Sequence, residues 1–237
     1  MNIIFMVIAG ILGWLIASIA YIDGYEVKGG LKKNFVKYLQ PKDLRWTILT
    51  LISIVLSGYF ANILYANGFD SYAPIIFCCY LVLLHAALVD LICYQIVIGP
   101  LLVAIGILMI VNLILIIGWG IEYQQFGYYP KENLIGAGAA ALLFFMIIKL
   151  TKGKGMGEGD LLIFVLMALT LGIGKLIVAF YVMIFAGCIY GVIVGLIKGK
   201  IRGIKMPFVP FMFLGFLVAA IFGQIVISFY LQNFLLI

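Results

Sequence analysis

Two aspartates stand out in a chain that has almost no other charge inside its apolar runs: Asp90, in LVDLICYQI, and Asp160, in GMGEGDLLIF. Both lie where long apolar segments begin or end. Two carboxylates held close together in a partly dry site cannot both ionise comfortably, so they share one proton. One can then take a proton from water while the other gives one to a peptide carbonyl, which is the acid–base division of labour of an aspartyl protease. That chemistry needs no metal, no cofactor and no nucleophilic side chain. Gly157 and Gly159 flank Glu158 just before the second acid. Without a Cβ they let backbone and substrate approach it closely. Asp160 also stands where an aspartate caps a helix amino terminus, so a purely structural role is the competing reading.

The elements that must position these acids follow from composition. Of the 237 residues, 66% are hydrophobic and 10% charged, with a mean hydropathy of +1.27. Soluble domains do not have this balance. The pattern predicts an all-α integral membrane protein, a single polytopic domain over 1–237 with its amino terminus outside. A crossing of the ~30 Å hydrocarbon layer takes about 20 apolar helical residues. Segments of or near that length run over 3–21, 46–66, 74–90, 96–119, 134–150, 161–173, 176–197 and 211–236, a bundle of about eight transmembrane helices. Period-two alternation of the kind a membrane β-barrel requires is missing.

The basic residues orient the bundle. With the amino end outside, the loops 22–45, 90–95, 149–160 and 198–206 face the cytoplasm and hold 13 of the 15 lysines and arginines. Only Lys131 and Lys175 fall on the other side. This is the asymmetry of the positive-inside rule. The net charge of +6 therefore reports orientation and contact with anionic membrane lipid, and gives no reason to expect nucleic acid as a partner. Lys28, Lys32, Lys33, Lys37, Lys42 and Arg45 follow the first apolar run and none precedes it, which favours a retained first helix over a cleaved signal.

The same topology brings Asp90 and Asp160 to one face of the membrane. Counting back from Lys175 as the outer boundary leaves Asp160 about 7 Å inside the cytoplasmic edge of the hydrocarbon. A carboxylate there costs roughly 2.5–3.5 kcal/mol on insertion scales, so it is expected to face the bundle interior or a wet cavity.

The segment Gly155-Met156-Gly157-Glu158-Gly159-Asp160 followed by an apolar helix resembles the G-x-G-D signature of intramembrane aspartyl proteases, type IV prepilin peptidases in particular. The stretch from Leu88 to Ile96 is similar to the family's turn around its first catalytic aspartate. Met206-Pro207-Phe208-Val209-Pro210-Phe211 resembles the Pro-Phe motif that opens the family's last span. The resemblance covers residues 75–230, the expected peptidase-like core. It implies Asp90 and Asp160 as the catalytic pair, with Gly157, Gly159, Glu158, Pro207 and Pro210 as motif residues and structural support, and no metal. It implies a prepilin or pseudopilin substrate whose short basic leader is cut from an apolar helix after a glycine, and the cytoplasmic membrane of a prokaryote as the location.

Two departures accompany it. Residues 22–45 contain no cysteine and are too short for the zinc-binding domain of two-function members, so a peptidase without methyltransferase activity is expected. Val97 stands where a proline is common, with Gly99-Pro100 just beyond.

Two other function classes fit parts of the pattern. A Mg²⁺-dependent lipid phosphotransferase also sets acids beside basic cytoplasmic loops, although it usually gathers several carboxylates close in sequence. A non-catalytic transporter calls for acids at the bilayer midplane and for internal repeats, and none is visible. The remaining features read as structural. The four cysteines resemble small apolar side chains, Gly187, Gly191 and Gly195 repeat at helical spacing as a packing face, and His85 is expected to be a hydrogen-bonded interior histidine with a role near Asp90 as the alternative.

Overall fold

The computed structural model describes residues 2–27, 44–66, 73–119, 129–151, 157–199 and 206–235. Most of the basic 22–45 loop and Gly155-Met156 of the glycine motif lie outside them. Among the described residues seven α-helices follow one another: α1 (Asn2–Val27), α2 (Leu44–Ala66), α3 (Ala73–Cys93), α4 (Ile98–Trp119), α5 (Pro130–Thr151), α6 (Glu158–Lys198) and α7 (Val209–Tyr230), the last running into a π-helical turn, Leu231–Leu235. All seven are long and apolar enough to cross a membrane, and the described residues include no strand. With no water in the hydrocarbon layer, a helix is the form that satisfies its own backbone donors and acceptors. The protein is an all-α, multi-pass membrane protein.

Seven elements stand against about eight expected spans, and α6 explains the difference. It is 41 residues long, about 60 Å if straight and twice the thickness to be crossed. It is not straight. Gly172 has φ 72 and ψ 174, a backbone region open essentially to glycine alone. On either side of it, Phe164 and Phe180 have ring centroids 5.8 Å apart, whereas sixteen residues of continuous helix would separate them by about 24 Å. The chain therefore doubles back at Gly172. Its two arms correspond to the sixth and seventh expected spans.

The chain divides into two compact units, Met1–Val97 and Ile98–Ile237. In the first, α1, α2 and α3 pack on one another. Small residues set how closely: a Cβ on Gly13 would collide with Ser57 Oγ and lie 2.7 Å from the Ser53 carbonyl oxygen, so α1 and α2 touch backbone to side chain. Ser57 Oγ and the Tyr80 hydroxyl share a 3.0 Å hydrogen bond between α2 and α3, and Tyr80 stacks on Phe60 at 4.7 Å. The α1 helix continues six residues past its expected end, through 22–27, and so carries Asp23 in its last turns.

In the second unit α6 is the centre, packed by α4, α5 and α7. The break at Gly172 removes the helical donor of nearby carbonyls, and lipid offers no replacement. Buried Asn112 of α4 supplies one: its Nδ2 donates to Leu169 O at 3.2 Å. Asn133 of α5, equally buried, donates through Nδ2 to Asn112 Oδ1 at 3.2 Å and sets its own Oδ1 where a Cβ on Gly172 would be 3.0 Å away. The two asparagines thus clamp the reversal level with the first turn of α5. The second arm then packs on α7 through Gly215, whose missing Cβ would sit 2.5 Å from Ala179 O. Gly187 and Gly191 face Phe208, Phe211 and Met206, so this part of the glycine stripe serves packing within the unit. Of the four free cysteines, Cys79 is buried while Cys78 and Cys188 are exposed on their spans, less enclosed than their apolar setting suggested.

Candidate active site

Asp160 occupies the third position of the first α6 arm. The helix begins after Gly157, an extended residue with φ −86 and ψ 159. Because the first backbone N–H groups of a helix lack intrahelical partners, the Asp160 carboxylate turns back and accepts the Gly157 N–H through Oδ2 at 3.0 Å. This is the reach-back half of a capping box. It differs from the cap expected for Asp160, because the N-cap position itself is Gly157. The bond fixes the carboxylate's orientation through one oxygen. The carboxylate of Asp160 is half-buried, while Glu158 and Gly157 are exposed and Gly159 is intermediate.

From Glu158 to Leu171 the arm holds only fourteen residues. It spans about 21 Å, roughly 9 Å short of the hydrocarbon thickness. The bend is clamped beside Asn133, next to the charged Glu132 and Lys131 at the start of α5. Lys175 itself follows the bend and is buried, its stem lying against Gly223 of α7.

Asp90 belongs to the first unit. It is not in a turn, as its sequence position suggested, but in the final turn of α3, which continues to Cys93. It is buried, 6% exposed, in a helix long and apolar enough to cross a membrane, where a carboxylate is costly. The end of α3 is closed tightly around it. The Tyr94 N–H donates to Asp90 O at 2.9 Å and the Cys93 thiol to Val89 O at 3.1 Å. Tyr94 adopts φ 56, a left-handed conformation that costs a bulky side chain on the order of 1–3 kcal/mol. The helix carrying Asp90 thus stops abruptly on a strained residue, which is a pattern that clusters at functional sites.

The same helix holds His85, which is interior and hydrogen-bonded as expected. Its Nε2 donates to Asp23 Oδ2 of α1 at 2.7 Å, across 62 residues of sequence. The two prolines of the Pro-Phe motif start α7. Pro207 is buried, and Pro210 lies in the first turn, where a missing N–H costs nothing. Phe208 O accepts from Phe211 N and Met212 N at 3.1 and 3.3 Å, and Phe211 packs on Tyr190 of the second α6 arm at 5.3 Å. The motif therefore fixes α7 to α6.

Asp160, Gly157, Glu158, Gly159, Pro207 and Pro210 are all in the second unit and Asp90 in the first. Among the described residues no three His, Cys, Asp or Glu side chains gather as a metal site. Sequence reasoning missed Asp23, Asn112, Asn133 and the strain at Tyr94. Asn112 had a signal, a lone amide inside an apolar span, which rarely goes unpartnered in lipid.

A stretch of 100 residues in this chain is 32% identical to a prepilin leader peptidase/N-methyltransferase of Bacillus subtilis (strain 168), covering 42% of this chain and 40% of that protein. The matched region thus spans less than half the length of that relative. No family model and no solved structure matches the chain. The similarity supports a relationship to the prepilin peptidases.

Proposed function

We propose that this protein is a membrane aspartyl endopeptidase of the G-x-G-D type that removes the short basic leader of prepilin-like or pseudopilin substrates at the cytoplasmic membrane face. Residues 75–230 form its core, and Asp90 and Asp160 are the catalytic pair. The observation that carries this reading is the presence of two carboxylates withdrawn into apolar helices, each at a helix end with its local geometry fixed. Asp160 is tied to the Gly157 N–H at 3.0 Å. Asp90, 6% exposed, sits in a turn closed by the strained Tyr94. The partial identity with a prepilin leader peptidase adds the substrate class.

In the proposed reaction one carboxylate takes a proton from water as the water oxygen bonds to the scissile carbonyl carbon. The other, protonated, gives its proton to the carbonyl oxygen. Collapse of the tetrahedral gem-diol breaks the C–N bond: the first acid gives its proton to the leaving amine while a diol hydroxyl returns a proton to the second acid as the C=O re-forms, which leaves a carboxylic acid product and restores the shared-proton pair. Glycines 157 and 159 leave room beside Asp160 for a peptide backbone. The substrate's apolar helix stays in the bilayer and its leader in the cytoplasm, where the sequence topology puts both acids. The proposal extends to peptidase activity alone and assigns no residue to methylation.

The experiment is incubation of purified protein in detergent or vesicles with a prepilin-type substrate, followed by mass measurement of the products. A cut between leader and apolar helix that persists in a metal chelator is the expected result. An intact substrate, or chelator-sensitive transfer of a lipid phosphate, would instead support the phosphotransferase.

A further inference from the structure

We propose that His85 and Asp23 are a positioning pair that fixes the register of α3 against α1 and thereby the place of Asp90; the catalytic part of this inference rests on the function proposed above. Asp23 and Glu26 are the only acidic or basic residues of α1, and His85 and Asp90 the only ones of α3. Nothing else along these two helices distinguishes one register from another by charge. In lipid there is no hydrophobic drive to choose among apolar faces, so packing and interhelical hydrogen bonds must choose.

The His85–Asp23 contact is short, 2.7 Å, with side-chain exposures of 7% and 28%. A partly buried pair is weak as a source of stability, because desolvation and screening offset the attraction, and its best-attested use is to specify register. A slip of one helical turn would move the partners about 5.4 Å apart and leave both polar groups in an apolar interface. His85 precedes Asp90 by five residues in an unbroken helix, a rise of about 7.5 Å. Whatever sets the height of His85 therefore sets the height of the carboxylate. The end of α3 has local closures at Val89 and Asp90, and these fix its shape without fixing its position against a neighbour. The His85–Asp23 bond is a polar tie between α3 and α1 five residues before Asp90.

Two substitutions separate register from charge and from simple stability. Asp23→Asn removes the charge and keeps an acceptor of the same length. Asp23→Glu keeps the charge and adds a methylene, which displaces the contact. A register device predicts that Asp23→Asn stays within about twofold of the native kcat, while Asp23→Glu loses about tenfold or more in kcat with KM nearly unchanged, the scale of a sub-ångström to 1 Å misplacement. The opposite order, or no change in kcat for either, overturns the proposal.

A second readout does not depend on activity. Cys93 is half-buried three residues beyond Asp90. With Cys78, Cys79 and Cys188 replaced by alanine, its rate of maleimide labelling reports the seating of this turn. Labelling should rise at least about threefold in Asp23→Glu and in His85→Ala, and stay near native in Asp23→Asn, because a loosened helix end opens more often. Equal labelling in all of them overturns the register claim. If the native protein cleaves nothing, the proposed function fails while the labelling result still decides the register claim.

Discussion

The side-chain amide of Asn112 donates to the backbone carbonyl of Leu169 at 3.2 Å, three residues before the chain reverses at Gly172. A helix broken inside a membrane strands backbone acceptors, and this asparagine answers one of them. Replacing it with leucine leaves that carbonyl and Asn133 without their partner, at a cost of about 1–3 kcal/mol for a buried unsatisfied group. Thermal unfolding of Asn112→Leu in detergent should therefore show a clearly lowered midpoint.

Gly172 makes a second expectation from the same reversal. An alanine there must hold φ 72 and ψ 174 and set its Cβ 3.0 Å from Asn133 Oδ1, for a loss of about 1–3 kcal/mol. Gly106 of α4 is the control, since an added Cβ meets nothing within 4 Å. Gly106→Ala should be neutral or stabilise by up to ~1 kcal/mol. Thermal unfolding of the two variants side by side checks both.

Close helix approach gives a third. An alanine at Gly215 would put its Cβ 2.5 Å from Ala179 O, and a backbone atom cannot turn aside as a side chain can. The expected cost of forcing α6 and α7 apart is about 1–3 kcal/mol, read as a lowered denaturation midpoint and, if the Pro-Phe contacts loosen with it, as weaker cleavage.

At the proposed catalytic acid, the Gly157 N–H is what holds Asp160 Oδ2. Gly157→Ala keeps that donor, adopts an ordinary φ of −86 and meets Asp160 Oδ2 only at 3.6 Å. Gly157→Pro removes the donor. Cleavage kinetics should find the proline variant at least about tenfold lower in kcat than the alanine variant, which keeps the donor, since orientation of a catalytic group is worth that much or more.

Much of this arrangement was legible in the sequence because lipid imposes a simple length rule. Apolar runs had to be helices of about 20 residues, and the polar interruption between Ile173 and Leu176 marked a reversal within a few residues of its observed site at Gly172. The position of Asp160 on a short arm followed from the same counting. What was hidden depends on tertiary geometry. His85 was visible as an interior histidine, but its partner Asp23 lies 62 residues away, beyond the expected end of the first span. The helix termini were also misplaced locally: Asp90 looked like a turn residue because the polar Tyr94-Gln95 follows it, yet α3 extends to Cys93. A tyrosine gives no sequence signal for the left-handed conformation that ends it.

The most direct measurement is substrate cleavage by Asp90→Asn and Asp160→Asn, each purified as a folded, monodisperse protein with native helical content. Asparagine keeps the shape and loses the ability to exchange a proton, so both variants should fall by at least about a thousandfold in kcat/KM, in keeping with removal of one member of a catalytic unit. Cleavage by either variant at a rate within about tenfold of the native protein would contradict the assignment of these two carboxylates as the catalytic pair.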